Sequence, residues 1–402
     1  MKRLRLDFET YSEADIKAVG PWAYSVHPST EVLLLAWAIE DDEPQIWLPG
    51  DKEPNWLMSL RDYEIHDCGA DLGVQITAWN DFFEYCIMEN VLYWPTLSPE
   101  YWADTAAKAA ALALPRQLGD CGEALGLEKD EVKDKAGKDL IKMFSKPTKS
   151  NSKATKGQLI RTYPKDRPEE FEQFKEYCKQ DVVAEREIDK ILPDLQPRTR
   201  KLWELDRKIN LQGLYFDIKS VKHALVVADK ARTKALAKVE ELTCGMLTNI
   251  GSRPQFLEYM ERMYGIVLEN AQKEYLKREV ESLQEQADKG LVNQDAVDLI
   301  NLRLYIAKSS LAKYDKIKDI VDSTGKAYGL LRFHGAGTGR WSGNLIQPHN
   351  FIRACLDYPD MCIDLLKNED PEYVELLFGD CLEALTMCLR GMITASPGCR
   401  LV

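Results

Sequence analysis

The sequence predicts a mixed α/β region up to about residue 193, an almost wholly helical one from 199 to about 325, and a last stretch of different texture. Three observations carry this. Before Pro193, short apolar or β-branched runs alternate with stretches of helical periodicity. After Pro197 the chain becomes charged and rich in Ala and Leu, as in VKHALVVADKARTKALAKVEEL and LINLRLYIAKSSLAKYDKIKDIV, a helix-forming composition. From Lys326 it turns Gly-rich and aromatic, YGLLRFHGAGTGRWSGNLIQPHNFIR, and GMITASPGCRLV then reads as the start of a strand.

Taken in order, LRLDFET, EVLLLAWAIE and VQITAW are strands bounded by polar turns, while NDFFEYCIMENVL and PEEFEQFKEYCKQDVVAEREIDKIL are helices. The 402 residues exceed what one core holds, so two or three domains are expected. With 45% apolar and 29% charged residues the composition excludes a disordered or fibrous chain. No run approaches a membrane span, and the start MKRLRLDFETYS turns acidic before a signal peptide could form, so a cytosolic location without membrane partners is expected. Ten Cys without a CxxC pair and only five His argue against a disulfide framework or a zinc module and for reduced thiols. The net charge of −12 excludes a uniformly basic nucleic-acid coat. From Lys142 to Arg167, however, eight Lys or Arg stand against one acid, Asp166, a local excess able to hold a polyanion.

Carboxylates carry the chemistry. In LRLDFET, period-two alternation points Asp7 and Glu9 to the same face of a strand, where two acids side by side call for a cation between them. Near residue 80, helical spacing places Asn80 and Glu84 one turn apart, with Phe83 turned into the core. Tyr177 and Asp181 share the same i, i+4 spacing. Each pair alone also reads as a surface turn or a cap. Together they give four carboxylates in three elements, with a phenol one turn from the last.

Asp-x-Glu, then Asn-x-x-Phe-Glu, then Tyr-x-x-x-Asp, in this order, resembles the DEDD-type 3′→5′ exonuclease domain. The stretches WADTAAKAAAL, LGDCGEALGL and DLIKMFSKP resemble its variant at the N-terminus of phage family A (DNA polymerase I-like) DNA polymerases. The resemblance implies an RNase H-like, mixed-sheet exonuclease domain over 1–193, an α-helical thumb over 194–325 and the beginning of a palm over 326–402. It also implies two divalent metal ions, Mg²⁺ with Mn²⁺ substituting, about 4 Å apart. Asp7, Glu9 and Asp181 would be ligands of the inner ion, with Asp7 bridging. Glu84 would act through the outer ion's shell, and Tyr177 would orient the attacking water. The family usually has Asp at the second motif, so Asp81 competes with Glu84 for this role.

A second signal is RFHGAGTGRWSGNLIQPHNFIR, which lacks the GxxxxGK[ST] arrangement of a phosphate loop. It resembles the palm-entry motif of the same polymerases, with Lys308-Ser309-Ser310 and Lys313-Tyr314 on the approach. The resemblance implies that Arg340 contacts the primer-terminus minor groove, that Asn350 and Arg353 lie near the primer strand, and that Asn80 and Phe83 touch DNA. Lys149, Lys153 and Lys156 are expected to guide a single strand. DNA, as primer-template and as a single-stranded 3′ end, is the expected partner of a monomer in the cytoplasm of an infected bacterium. The family's first palm carboxylate would follow Val402, so this chain is expected to shorten primers without extending them. His66-Asp67-Cys68 imitates a later polymerase motif but lacks its Glu, and reads as a strand end. Two other readings are a free-standing DEDD exonuclease, which needs neither TGRWS nor the helical region, and an idle nucleic-acid clamp. Clustered acids make the clamp awkward, because they destabilise a fold without return.

Overall fold

A computed structural model describes residues 1–66, 73–127, 135–149, 158–307, 311–353, 356–396 and 398–400. The chain packs as two compact units, Met1–Gly213 with Ala327–His349 and Leu214–Lys326 with Asn350–Val402.

The first unit is a mixed α/β layer structure. The strands of its main sheet are β1 (Lys2–Tyr11), β2 (Glu31–Ile39), β3 (Gln45–Trp47), β4 (Val74–Ala78) and β5 (Trp102–Asp104), in the spatial order β3-β2-β1-β4-β5. The β1–β2 and β2–β3 pairs are antiparallel, whereas β1–β4 and β4–β5 are parallel. Helices α1 (Ile16–Ser25), α2 (Asn55–His66), α3 (Phe82–Ile87), α4 (Thr105–Ala111), α5 (Leu118–Ala124), α6 (Lys135–Phe144), α7 (Pro168–Ile191) and α8 (Pro197–Gln212) cover it. The three runs expected to be strands are β1, β2 and β4, and the helix expected from Pro168 onward is α7. His66 closes a helix rather than a strand, and Asp67 and Cys68 lie outside the described residues.

Alternation along β1 sets up the layers. Leu4, Leu6 and Phe8 enter one core with Trp56, Trp94 and Trp102, while the opposite face of the sheet packs Leu34 and Ala36 against Phe144, Phe174 and Cys178. With both faces covered, β2 reads as the nearly continuous apolar run EVLLLAWAI. The helix after Pro193 belongs to this unit, because Trp203 of α8 is buried in the first core and Arg200 donates to the main-chain oxygens of Pro99 and Glu100 at 3.1 Å.

The second unit is helical. Ile218–Thr243, Arg253–Tyr264, Lys273–Asp288, Gln294–Ile306 and Ala312–Ile320 are joined by Pro359–Leu366, Pro371–Phe378 and Cys381–Cys388. Phe256, Met260, Leu276 and Ile300 centre one core, and the buried Tyr314 hydroxyl donates to Leu385 O at 2.6 Å. Strand Leu214–Phe216 pairs antiparallel with Ile393–Thr394, so within the stretch GMITAS these two residues form a strand, while Gly391 and Met392 end a 3-10 turn. Among the described residues no helix is long and apolar enough to cross a membrane, and the described cysteines are free thiols.

Candidate functional site

The odd-numbered face of β1 carries Arg3, Arg5, Asp7 and Glu9, and α7 lies across it. Positions 178, 181, 185 and 189 of α7 recur every three or four residues and form the face turned to the strand. The contacts follow this register. Arg5 Nη1 meets Glu185 Oε2 at 2.8 Å and Nη2 meets Asp189 Oδ2 at 3.1 Å, while Cys178 Sγ lies 3.1 Å from Asp7 Oδ2 and 3.4 Å from Asp7 O. Helix and strand therefore run antiparallel.

At the carboxyl end of β1 the groups gathered are acids and a thiol. Asp7, Glu9 and Cys178 each offer a donor atom, all within 4.8 Å of one another, the one such group among the described residues. Asp181 is 4% exposed and its charge reaches Cys178 along with those of Asp7 and Glu9. Burial first, then these neighbouring acids, push the Cys178 thiol well above its ordinary value.

Glu84 arrives by a different route. Because β4 runs parallel to β1, both strands deliver their carboxyl ends to the same edge, where side chains from successive loops can converge. The chain leaves β4 at Ala78, reverses through Asn80 in a left-handed conformation (φ 62°), and enters α3 with Glu84 in its first turn. Asn80 thus precedes the helix instead of sharing a helical face with Glu84. The reversal right after the strand demands positive φ, which Asn tolerates better than most residues, and its N–H donates to Asp104 Oδ1 at 3.1 Å. Glu84 is 3% exposed, and its Oε2 has no hydrogen-bond partner among the described residues. Burial and then the charge of Asp7 hold its carboxyl well above the usual range. Asp81 is engaged elsewhere: its Oδ2 accepts from Arg207 Nε at 3.1 Å, and its other oxygen is in ion contact with Arg207 Nη2.

Tyr177 is 7% exposed, stacked on Phe174 with ring centroids 6.3 Å apart. Gly137 of α6 lies against its ring, where a Cβ would fall 1.8 Å from Tyr177 Cε2. Only glycine permits that approach. Neither Gly137 nor Cys178 was singled out from the sequence. Cys178 was detectable, since it lies three residues before Asp181 on the same helical face.

Asn80 and Phe83 line a cavity of about 530 Å³ within the first unit, into which Lys17, Arg116, Arg207 and Arg332 also face. Phe83 is half-buried, packing near Tyr24 at 6.0 Å between ring centroids. Arg340 is exposed in the first unit, in a turn where Ala336 N–H donates to its main-chain oxygen at 3.1 Å. Asn350 and Arg353 are exposed in the second unit. Lys149 is exposed on a two-residue ladder with Leu159. Lys153, Lys156 and Lys308-Ser309-Ser310 lie outside the described residues. Within the basic stretch, Arg161 is committed to structure, bound to Glu31 at 2.7 Å and laid over the Tyr11 ring at 4.0 Å.

No family model matches the chain. It is 34% identical over 408 residues to the DNA polymerase of Bacillus phage SP02, an alignment covering 99% of this chain and 58% of the relative, so the chain spans little more than half of that protein's length. Among solved structures it is similar to the POL domain of Pol1 from M. smegmatis in complex with DNA primer-template and dNTP, with a TM-score of 0.52 over 88% of this chain and 53% of that one. At 12% identity this likeness is one of fold.

Proposed function

We propose that the chain is the 3′-end-trimming portion of a phage-type family A DNA polymerase, and that its first unit hydrolyses 3′-terminal phosphodiester bonds with two divalent metal ions, Mg²⁺ or in its place Mn²⁺. The observation that carries this is the cluster of Asp7, Glu9 and Cys178 at one end of the β1–α7 contact, with the buried Asp181 near enough for its charge to reach Cys178 and the buried Glu84 close enough to feel the charge of Asp7. Hard carboxylate oxygens suit these ions, and acids held together inside a fold cost stability unless cations join them. The 34% identity to a phage DNA polymerase supports the same reading.

In this reading Asp7, Glu9 and Asp181 would hold the inner ion. The orphaned Oε2 supports Glu84, rather than the Arg207-bound Asp81, as the second-motif carboxylate. The bound ions would activate the attacking water and stabilise the leaving 3′ oxygen. Tyr177, held in place by Gly137 and Phe174, orients that water by hydrogen bond. Asn80 and Phe83 contact the incoming strand at the cation-lined cavity, Lys149, Lys153 and Lys156 guide it, and Arg340, Asn350 and Arg353 serve the primer. The protein would work as a monomer on DNA in the cytoplasm of an infected bacterium.

The test is digestion of a single-stranded DNA labelled at its 5′ end. Stepwise shortening that requires Mg²⁺ and disappears in Asp7→Ala and Asp181→Ala is the expected result. Undiminished digestion by Asp7→Ala would remove the assignment.

A further inference from the structure

The carboxylate cluster contains one donor that a purely hard-metal site does not need. Cys178 Sγ stands 3.1 Å from Asp7 Oδ2, and its possible ligand partners Asp7 and Glu9 lie within 4.8 Å of it and of each other. Two ligands at about 2.0–2.3 Å from a shared zinc-type ion are separated by no more than the sum of their bond lengths, so a small contraction brings all three onto one ion. A second observation points to a ligand at the same place. Glu84 is nine-tenths buried or more, has an oxygen without a hydrogen-bond partner among the described residues, and senses Asp7.

We propose that Asp7, Glu9 and Cys178 form a mixed hard and soft site that takes a thiophilic divalent cation of the Zn²⁺ or Cd²⁺ class, in competition with Mg²⁺. Thiolate sulfur selects such ions, while carboxylate and water alone favour Mg²⁺. On entry of the cation the S–H bond breaks, the proton passes to water, and the sulfur electron pair forms the metal bond, with no change of oxidation state. An ion held in this way occupies the Asp7 and Glu9 oxygens that excision requires and leaves the cluster inactive. The inference rests on the reading of Asp7 and Glu9 as metal ligands.

Cadmium is the probe, because a cadmium–thiolate bond has its own ultraviolet charge-transfer absorption. Difference spectra of the whole chain titrated with Cd²⁺ should show a band in the wild type that is missing in Cys178→Ser and in Cys178→Ala. Contributions of the exposed Cys244 and Cys399 are common to all three proteins and cancel. The apparent affinity for Cd²⁺ should fall by at least about 10-fold in either variant, since loss of a direct ligand costs no less than loss of an outer partner, and the Zn²⁺ concentration that halts Mg²⁺-supported digestion should rise by a similar factor. Circular dichroism and thermal melts identify a variant that has failed to fold, and having two replacements keeps the comparison open. A wild type that digests DNA and shows no Cys178-dependent band overturns the proposal. A Cys178-dependent band in a protein that digests nothing supports this site and removes the excision reading instead.

Discussion

One strand and one helix meet twice in the first unit, and the two meetings differ in charge. Toward the amino end of β1, Arg3, Arg5 and, from α4, Lys108 face Glu185, Asp189 and Asp194; Lys108 Nζ lies 2.8 Å from Asp189 Oδ1 and Arg3 Nη2 lies 3.0 Å from Asp194 Oδ1. Although burial alone would raise it, the Asp189 carboxyl is held below its ordinary value by Lys108, Arg5 and Arg3. Two turns away along the same helix, Cys178 meets Asp7 and Glu9 with Asp181 nearby, and there burial first and then the neighbours' charges push Glu84 and Cys178 upward. Matched charge holds a helix on a strand. Acids brought onto acids do not do this by themselves, which is why the second meeting is the one proposed to hold cations.

The largest effect should separate the two ends outright. Asp7→Asn is expected to abolish excision while leaving the unfolding free energy of the metal-free protein unchanged or higher, and Mg²⁺, expected to raise the Tm of the wild type, should not raise that of the variant. A large loss of stability in that variant would show that both ends are structural. Next comes the balanced end. Arg5→Ala leaves the buried Glu185 without its cation, while Asp189 keeps Lys108 and Arg3, and should cost about 3–5 kcal/mol in urea unfolding, as breaking a buried pair does. A cost under about 1 kcal/mol, the range of exposed pairs, would erase the contrast.

Within the acidic end, Tyr177→Phe keeps the ring and the packing and should slow excision by about 10²-fold, the low end of what one proton-positioning group contributes. Gly137→Ala, which displaces the same ring, should act in the same direction and also lower Tm. Glu84→Gln should impair excision more than Asp81→Asn, while Asp81→Asn should cost more stability, because Arg207 loses its partner. The reverse order would exchange the roles of the two acids.

The smallest effect concerns pH. Asp104, beside the Asn80 turn, is pushed up to about 7 from its ordinary 3.8 by burial and then by the charge of Asp81. Its neutral form favours the folded state, so its contribution is complete below about 3.8 and is lost as pH rises through about 7. Asp104→Asn should therefore raise Tm at pH 8 by about 2–4 °C for each kcal/mol relieved and change it little at pH 4.

Much of this site is written in local spacing. Period two put Asp7 and Glu9 on one face of a strand, and the 3.6-residue period of α7 placed Asp181 on one face of a helix, because backbone geometry alone dictates both directions. The strands β1, β2 and β4 and the change to helix after Pro197 were readable for the same reason. What spacing could not show was the partner of each group. That Asp81 belongs to Arg207, 126 residues away, that Arg5 neutralises Glu185 and Asp189, and that Gly137 makes room for Tyr177 are decided by which elements pack together. The left-handed turn at Asn80 was likewise invisible, since it exists only because β4 ends parallel to β1 and the chain must reverse there. By itself the sequence determined which side chains could face the same way. The tertiary structure alone decided which charges meet, because the energy of a buried charge depends on what lies within a few ångströms of it, and those neighbours come from distant parts of the chain.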